Sequence, residues 1–305
     1  MKIIINGLGR IGKLVFRRLC DENLHKNILM VNEKAGSASD QEYFLRYDTV
    51  HGTWGDDLCF ENGCLNYKDH SIAVMTEGSI ESISFPKSEK FLVVDCTGVN
   101  KSEKLLEPYF ERKASYVLIS APIESSNVQN IVYGINHQSI DTSAYKIFTA
   151  ASCTTNCLAP IVKVLEENIG IKHGSITTIH NITNSQTIVD APKNNLRRSR
   201  SGINSLIPTT TGSARAISLI YPELKGRLNG HAVRVPLLNA SLTDCVFEMK
   251  QNVEVDKINQ LFNEASNTYL RDILSYEEKP LVSSDYVNNP HSAIIDSLST
   301  MVVNK

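Results

Sequence analysis

A cysteine among small, hydroxyl-bearing residues is the strongest candidate for chemistry in this sequence. Cys153 lies in the run 151–160 (ASCTTNCLAP), which predicts the first turn of a helix with Ser152 or a neighbour as its cap. The unpaired N–H groups at a helix start favour the thiolate, which is the nucleophilic form of cysteine. The alternative is that Cys153 is a small buried hydrophobe at a domain junction.

A histidine at the end of a predicted strand is the candidate base. His180 closes the alternating segment 174–180 and follows Cys153 by 27 positions. An imidazole beside a thiol can hold it as thiolate and then act as acid and base on a substrate oxygen. Spacing alone does not bring the two side chains together, so a core or surface histidine is the alternative.

The chain begins with a pattern typical of dinucleotide binding. Gly7, Gly9 and Gly12 form G-x-G-x-x-G between a short apolar strand at 3–5 and a helix-periodic segment at 13–18. Glycines there allow a tight turn and a close approach of the backbone to a pyrophosphate at the helix N-terminus.

An acidic residue follows the glycines at the spacing of a ribose ligand. Glu33 comes after a second predicted strand at 27–31, about 20 positions beyond the glycines. A carboxylate there also repels a 2′-phosphate, which favours NAD over NADP, although Lys34 follows directly. The alternative is that Glu33 caps a loop.

Small polar residues end two further buried strands, at 90–98 and 116–122. Because ligands bind at the carboxyl ends of strands in a doubly wound sheet, Thr97, Gly98 and Ser120 are cofactor-side candidates. Ordinary loop chemistry explains each of them equally well.

Basic and hydroxyl groups in the second half suit phosphate oxygens. The run 196–200 (LRRSR) is basic, and 209–212 (TTTG) precedes a predicted helix at 213–220. Arg234 lies in the apolar strand 232–235, where a guanidinium costs several kcal/mol unless it has an anionic partner. Guanidinium forks and helix-end amides bind phosphate well. A solvated basic loop and an internal ion pair to a carboxylate are the alternative.

The elements that must position these groups change character near residues 150–152. The first half predicts buried parallel strands alternating with helices. The second half predicts helices at 158–169 and 255–270, and strands at 174–180, 229–235, 241–249 and 292–303. The fold expected is α/β: an N-terminal Rossmann doubly wound domain over 1–152 and an α+β catalytic domain over 153–305 with a mostly antiparallel sheet. The active site is expected between them.

Composition excludes several functional classes. The net charge of −2 gives no electrostatic basis for binding nucleic acid or an anionic membrane. The seven cysteines are odd in number and lack C-x-x-C spacing, which favours free thiols in a reducing compartment over disulfides or a metal site. No apolar run approaches the ~18 residues of a membrane span. The strand at 3–5 ends at once in Asn6-Gly7, so no signal peptide is expected and a cytoplasmic location is.

Four runs together resemble the glyceraldehyde-3-phosphate dehydrogenase family over essentially the whole chain. They are 6–12 (NGLGRIG), 152–157 (SCTTNC), 222–226 (PELKG) and 228–230 (LNG). The run around Cys153 is similar to the family's catalytic-cysteine motif and is far more specific than any dinucleotide motif.

The resemblance implies a role for each matching residue. It makes Cys153 the nucleophile and His180 its base, assigns the substrate's 3-phosphate to Thr183, Arg198 and Arg234, and assigns the attacking phosphate to Ser152, Thr154, Thr211 and Gly212. Arg10, Ile11, Glu33, Thr97 and Ser120 would line the NAD site. The family forms tetramers in which the loop corresponding to about 181–207 reaches a neighbour's cofactor, so a homotetramer is implied.

The implied reaction is oxidation of glyceraldehyde 3-phosphate. The thiolate attacks the aldehyde, a hydride passes to NAD, and an oxyanion cleaves the resulting thioester. The runs 181–187 (NITNSQT) and 231–241 (HAVRVPLLNAS) resemble the branch found beside arsenic exporters, in which arsenate attacks and 1-arseno-3-phosphoglycerate is exported. Phosphate and arsenate share charge and shape, so both stay open as the attacking oxyanion.

The sequence also differs from the family at its end. The family continues through a further strand and a C-terminal helix that carries a nicotinamide-contacting asparagine, whereas this sequence ends at 300–305 (TMVVNK). Weakened NAD binding and stability are therefore expected. Two other functions stay open: erythrose-4-phosphate dehydrogenase, disfavoured by the intact 209–212 run, and a low-activity NAD-binding or redox-sensing chain with Cys153 oxidation as its signal.

Overall fold

A computed structural model describes residues 1–86 and 90–304 of the chain. The chain divides into an N-terminal unit, residues 1–131 and 139–151, and a C-terminal unit, residues 132–138 and 152–305. The short segment 132–138 belongs to the C-terminal unit although it precedes residue 150, and the sequence does not predict this. The secondary structure of the two units differs, in agreement with the change in sequence pattern near residues 150–152.

The N-terminal unit is built on one large sheet. Its described strands are β1 (Lys2–Asn6), β2 (Ile28–Asn32), β3 (Tyr47–Asp48), β4 (Gly52–Thr53), β5 (Leu58–Glu61), β6 (Cys64–Tyr67), β7 (His70–Met75), β8 (Phe91–Asp95), β9 (Tyr116–Ile119), β10 (Val128–Asn130) and β11 (Ile147–Thr149). Its described helices are α1 (Arg10–Asp21), α2 (Asp40–Arg46) and α3 (Glu103–Glu111). Nine strands form the order β10-β11-β9-β8-β1-β2-β7-β6-β5, and the pairings from β10 to β7 are all parallel.

Helices cover this sheet on both faces, as the Rossmann prediction requires. The neighbouring β1 residues Ile4 and Ile5 are both fully buried but belong to different cores, because successive strand residues point to opposite faces. Ile4 shares its core with Leu106 of α3, whereas Ile5 shares its core with Phe16 of α1. The predicted doubly wound α/β fold is confirmed.

The C-terminal unit is an α+β arrangement. It contains the helices α4 (Cys153–Asn168), α5 (Ser213–Ile220) and α6 (Val255–Asn267), and the strands β12 (Ile171–Asn181), β13 (Ile207–Thr210), β14 (Leu228–Val235), β15 (Ser241–Met249), β16 (Leu274–Glu277) and β17 (Ala293–Asp296). The main sheet has the order β13-β14-β12-β15. Two of its three pairings are antiparallel, as predicted, and the central β12–β14 pairing is parallel.

The prediction of a strand over 292–303 is wrong about the length of the strand and about the sheet to which it belongs. Only Ala293–Asp296 is extended, and it pairs in parallel with β16 in a separate two-stranded sheet. A 3-10 turn over Ser297–Ser299 ends the strand, because the Ser297 hydroxyl donates to the Glu277 carbonyl (2.7 Å) and the Ser299 hydroxyl donates to the Asp296 carboxylate (2.6 Å).

No helix within residues 1–86 and 90–304 has the length and apolar character needed to cross a membrane.

Candidate active site

Cys153 is the first residue of α4, the position that its sequence context predicts. The Ser152 side chain accepts a hydrogen bond from the Thr155 backbone N–H (3.1 Å) and so caps the helix. A serine N-cap stabilises a helix by about 1 kcal/mol relative to alanine. The cap fixes where the helix starts, and Cys153 therefore lies at its positive end.

His180 meets Cys153 because it lies near the end of β12, on the buried face of that strand. Its Nε2 is 3.2 Å from the Cys153 Sγ, and the ring is only 6% exposed. Its neighbour Ile179 is 39% exposed, because successive side chains of a strand point to opposite faces of the sheet. The His180 side chain therefore points to the interior. A core or surface histidine, the alternative from sequence, would not contact a thiol in this way.

The surroundings of Cys153 lower the pKa of its thiol. Burial of the sulfur is the largest effect and raises the pKa, but the hydrogen bond and charge of His180, together with the hydroxyl and amide of Thr154, outweigh it. The pKa falls from the ordinary 9.0 to about 7. The sulfur is therefore substantially ionised at neutral pH, although Cys153 is exposed enough for a substrate to reach it.

Arg234 contacts the other nitrogen of the same imidazole. His180 and Arg234 are register partners in the parallel β12–β14 pair. The Arg234 Nη1 lies 2.5 Å from the His180 Nδ1 and donates to the Asn181 carbonyl at 2.9 Å. Arg234 is half-buried, and this contact joins it directly to the Cys153–His180 pair. The anionic partner expected from the sequence stays a prediction.

A second helix N-terminus lies beside the first. Gly212 is the N-cap of α5, and Thr211 precedes it with its hydroxyl 3.0 Å from that of Ser213. The Ser213 hydroxyl is in turn 3.2 Å from that of Ser152. The starts of α4 and α5 are therefore joined by hydroxyl groups. Two helix ends and their hydroxyls form a cluster of donors suited to an oxyanion.

Thr183 and Arg198 make their contacts elsewhere in the C-terminal unit. The Thr183 hydroxyl is 2.8 Å from that of Ser185 and donates to the Gln186 side-chain oxygen at 3.2 Å. The Arg198 guanidinium donates to the Thr209 hydroxyl (3.0 and 3.3 Å). Arg198 is thus tied to β13, the strand that pairs with the strand of Arg234.

The three glycines of the G-x-G-x-x-G pattern have different structural roles. Gly7 has a φ of +90°, which few side chains tolerate, and its N–H donates to Asn32 (2.7 Å). A Cβ on Gly12 would lie 1.8 Å from the Gly7 carbonyl oxygen, so this contact of α1 with the turn requires glycine. A Cβ on Gly9, by contrast, would meet nothing within 4 Å.

Glu33 connects the end of β2 to this glycine turn. One carboxylate oxygen accepts from the Leu8 N–H (2.8 Å), and the other accepts from the Ala35 N–H (3.0 Å). The carboxylate therefore does cap its own loop, as the alternative interpretation states. It also lies against the turn where the dinucleotide pattern places a ribose, so both interpretations fit the contacts.

The remaining cofactor-side candidates lie around the carboxyl ends of β8, β9 and β1. Thr97 donates to Asp95 through both its N–H (2.9 Å) and its hydroxyl (2.6 Å), Gly98 has a φ of +71°, and the Ser120 N–H donates to the Asp95 carbonyl (3.0 Å). Arg10 and Ile11 occupy the first turn of α1, and Ile11 is 51% exposed.

The residues of the N-terminal unit fit a dinucleotide. The start of α1 has no side-chain cap, and the space beside Gly9 is open, so an anion can approach the positive end of this helix. Glu33 supplies a carboxylate next to the same turn.

Several supporting residues escape prediction from the sequence. Asp95 is fully buried and also accepts from the Asn100 amide (2.7 Å) and the Tyr109 hydroxyl (2.8 Å), which fixes the loop that carries Thr97. Asn181 donates to the Leu238 carbonyl (2.8 Å) and holds the end of β12. A polar residue at the end of an apolar strand is only a weak sequence signal for a supporting hydrogen bond. It does not indicate which group the residue will bond to.

Comparison with known proteins agrees with the site. Residues 152–305 match the domain described as "Glyceraldehyde 3-phosphate dehydrogenase, C-terminal domain", and residues 1–103 match the family's "NAD binding domain". The chain belongs to the glyceraldehyde-3-phosphate dehydrogenase family. The predicted resemblance is therefore confirmed, and so is the predicted cofactor, NAD.

Relatives in this family align along nearly the whole chain. "Glyceraldehyde-3-phosphate dehydrogenase 3" of Nostoc sp. strain PCC 7120 is 47% identical and covers 100% of this chain and 90% of its own length. "Glyceraldehyde-3-phosphate dehydrogenase 2" of Bacillus subtilis is 39% identical, covering 99% and 88%. "Glyceraldehyde-3-phosphate dehydrogenase" of Geobacillus stearothermophilus is 41% identical, covering 99% and 90%.

Proposed function

We propose that this chain is a phosphorylating glyceraldehyde-3-phosphate dehydrogenase that works through a thioester on Cys153. The observation that carries the proposal is the 3.2 Å contact between the Cys153 Sγ and the His180 Nε2 at the start of α4. Family membership and the names of the relatives support the same reaction.

The reaction begins with attack of the Cys153 thiolate on the aldehyde carbon. A thiol pKa of about 7 supplies thiolate at neutral pH. His180 Nε2 lies where it can donate to the oxygen of the tetrahedral adduct and later take its proton. Collapse of that adduct leaves a thioester, which retains the free energy of the oxidation. NAD, when bound, accepts the hydride that leaves the carbon.

Two groups of donors would hold the two oxyanions that the reaction needs. Thr183, Arg198 and Arg234 would bind the phosphate of the substrate, whereas Ser152, Thr154, Thr211 and Gly212 would bind the attacking oxyanion. The hydroxyl contacts that join the starts of α4 and α5 support the second group, because the attacking oxygen must come close to Cys153.

The N-terminal unit would hold NAD through Gly7, Gly9, Gly12, Arg10, Ile11 and Glu33 at the start of α1, and through Thr97, Gly98 and Ser120 at the ends of β8 and β9. We assign residues 1–152 as the NAD-binding domain and 153–305 as the catalytic domain. Seven free cysteines are consistent with work in the reducing cytoplasm.

Arsenate is a second attacking oxyanion that this site would accept. It has the charge and tetrahedral shape of phosphate, and the same hydroxyl and amide donors would bind it. The runs 181–187 and 231–241 favour a physiological role in arsenate detoxification through 1-arseno-3-phosphoglycerate. A gene neighbourhood without an arsenic exporter, and no arsenate protection in cells that express the two together, would contradict that role.

The test is formation of NADH from glyceraldehyde 3-phosphate, with phosphate and then with arsenate as the oxyanion. We expect turnover with both. Cys153→Ser should lower kcat/KM by at least about 10⁴-fold, because the covalent route is lost, while NAD affinity stays unchanged. Cys59→Ser, which alters another free thiol on β5 of the N-terminal unit, is the matched control and should turn over normally.

The same assay separates the alternatives. Faster turnover of erythrose 4-phosphate, without dependence on phosphate, would indicate the sister dehydrogenase. A folded chain that binds NAD but turns over neither aldehyde would indicate a redox-sensing protein, with Cys153 oxidation as its signal.

A further inference from the structure

Asp95 ends β8 and is fully buried. One of its carboxylate oxygens accepts hydrogen bonds from the N–H (2.9 Å) and the hydroxyl (2.6 Å) of Thr97. The other oxygen accepts from the Asn100 amide (2.7 Å) and the Tyr109 hydroxyl (2.8 Å). These donors take the place of water around the buried carboxylate. Because Thr97 and Asn100 are among them, Asp95 fixes the turn that follows β8.

The Tyr109 hydroxyl extends this contact to two neighbouring strands. Its oxygen accepts from the Asn6 side-chain amide (2.5 Å), and the Asn6 side-chain oxygen accepts from the Asn32 amide (2.8 Å). The Asn32 side-chain oxygen accepts in turn from the Glu77 backbone N–H (2.8 Å). We call Asp95, Tyr109, Asn6 and Asn32 the strand-end network. None of its four residues is more than 4% exposed.

The two ends of the strand-end network give its hydrogen bonds one direction. The Glu77 N–H can only donate, and the Asp95 carboxylate can only accept. Each asparagine between them therefore turns its oxygen toward the Glu77 end and its amide toward the Asp95 end. Burial and the charge of Asp95 raise the pKa of the Tyr109 hydroxyl, which keeps its proton and donates. Hydrogen bonds aligned in this way polarise and strengthen one another.

The strand-end network joins the carboxyl ends of three adjacent strands. Asn6 on β1 is the register partner of Asn32 on β2 and of Asp95 on β8. The glycine turn follows Asn6, and Glu33 follows Asn32. Thr97 lies two residues beyond Asp95. The network therefore fixes the points at which three loops of the proposed NAD site leave the sheet.

We propose that Asp95 and Tyr109 are positioning residues, which hold the loops after β1, β2 and β8 in the arrangement that binds NAD before the cofactor arrives. Tyr109 is the central link, because it comes from α3 and contacts Asp95 on one side and Asn6 on the other. Loops that are ordered in advance lose no binding free energy to ordering when the ligand binds. This inference rests on the proposed function, which places NAD at these loops.

The variant Tyr109→Phe breaks the strand-end network at its centre and keeps the ring in the core that it shares with Leu106. We expect the Kd of NAD, measured by calorimetric titration without aldehyde, to rise about tenfold, because one neutral hydrogen bond is lost from the binding arrangement. The KM of NAD should rise by a similar factor. The kcat should stay within about twofold, because Cys153 and His180 are untouched.

Tyr116→Phe is the matched control. It removes a phenol hydroxyl from the same unit, but Tyr116 begins β9, at the amino end of the parallel strands, and its ring lies 4.8 Å from the Lys146 ammonium group. The Kd of NAD should therefore equal that of the unaltered chain. A difference between the two variants reports the position of the hydroxyl and not the loss of a hydroxyl as such.

A double-mutant cycle distinguishes one connected network from two separate structural losses. Asn32→Ala breaks the strand-end network at another link and should also raise the Kd of NAD about tenfold. If both residues act through the same network, the double variant should show a total rise of about tenfold. Independent losses would multiply to about a hundredfold.

Two results would overturn the proposal: an unchanged Kd of NAD in Tyr109→Phe, or multiplied effects in the double variant. A purely structural role for Tyr109 gives the first result, because it lowers the free energy of unfolding and leaves the affinity of the folded chain as it was. That measurement does not depend on the folding of Asn32→Ala. Failure of the proposed dehydrogenase would instead appear as absent turnover in the unaltered chain, which the NAD titration does not measure.

Discussion

The environment of each cysteine decides whether it can act as a nucleophile. Burial raises the pKa of Cys20 to about 12 and that of Cys96 to about 11, and it also raises the pKa of Cys157 and Cys245. Burial acts on Cys153 in the same direction, but His180 and Thr154 outweigh it and bring the pKa to about 7. Cys96 and Cys157 also have a hydroxyl partner at the sulfur, Ser120 and Thr243, but these do not outweigh burial. The hydrogen bond and charge of His180 distinguish Cys153, which therefore has the lowest pKa of these five thiols.

His180→Leu tests this balance at the level of one residue. The leucine is close to histidine in size and has no ring nitrogen, so the pKa of Cys153 should rise above about 7 toward its ordinary value. Alkylation at neutral pH should slow about tenfold for each unit of that rise, with the midpoint moving to higher pH. The control is His173→Leu, which alters an exposed histidine on the same strand that pairs with Glu248. An unchanged midpoint in His180→Leu would show that α4 alone lowers the pKa.

The first helix, α1, packs closely against the glycine turn that precedes it. Gly12 lies in α1 against the carbonyl of Gly7, with no room for a methyl group, whereas Gly9 faces open space. Gly12 thus serves the fold, whereas the open space at Gly9 leaves room for the ligand that we propose to bind there. The sequence pattern alone does not distinguish the packing requirement at Gly12 from the open space at Gly9.

Alanine substitutions at these two positions should have different effects. Gly12→Ala should lower the free energy of unfolding by about 1–3 kcal/mol or more, because its Cβ would overlap backbone that cannot rotate away. Gly9→Ala should leave stability within about 0.5 kcal/mol, because the backbone there is extended and the space is free, yet it should weaken NAD binding. Urea unfolding and calorimetric NAD titration measure the two effects. Equal stability losses would contradict the assignment.

The molecule as a whole presents an apolar surface on the main sheet of the C-terminal unit. The helices α4 and α5 contact this sheet, and side chains that alternate with the buried ones stay exposed. Ile179 and Leu242 face each other across the β12–β15 pairing with exposures of 39% and 58%, and Val246 on β15 is 62% exposed. Such a surface is typical of a contact between subunits, as the homotetramer implied by the family resemblance would require.

Leu242→Glu tests that assembly. A charge in the centre of an apolar contact is costly to bury, so sedimentation velocity should show smaller species than for the unaltered chain. Leu105→Glu is the control, because Leu105 is 49% exposed on α3 of the N-terminal unit and lies outside this surface. Assembly unchanged by Leu242→Glu would place the subunit contact elsewhere.

Local features were predictable because short-range physics produces them. The sequence pattern predicted β15 and α5 with the bounds that the structure shows. The serine before Cys153 predicted the start of α4, and the glycine pattern predicted the turn before α1. The end of the chain was mistaken for one long strand because serine hydroxyls there bond to neighbouring elements, which periodicity does not register.

The sequence by itself determined the family, the fold class and the residue types available for chemistry. The tertiary structure decided which of those residues meet: His180 reaches Cys153, Arg234 reaches His180, and Ser152 reaches Ser213. Strand register is the physical reason. His180 and Arg234 lie opposite each other in the β12–β14 pair, and a slip of one residue would turn either side chain to the other face of the sheet.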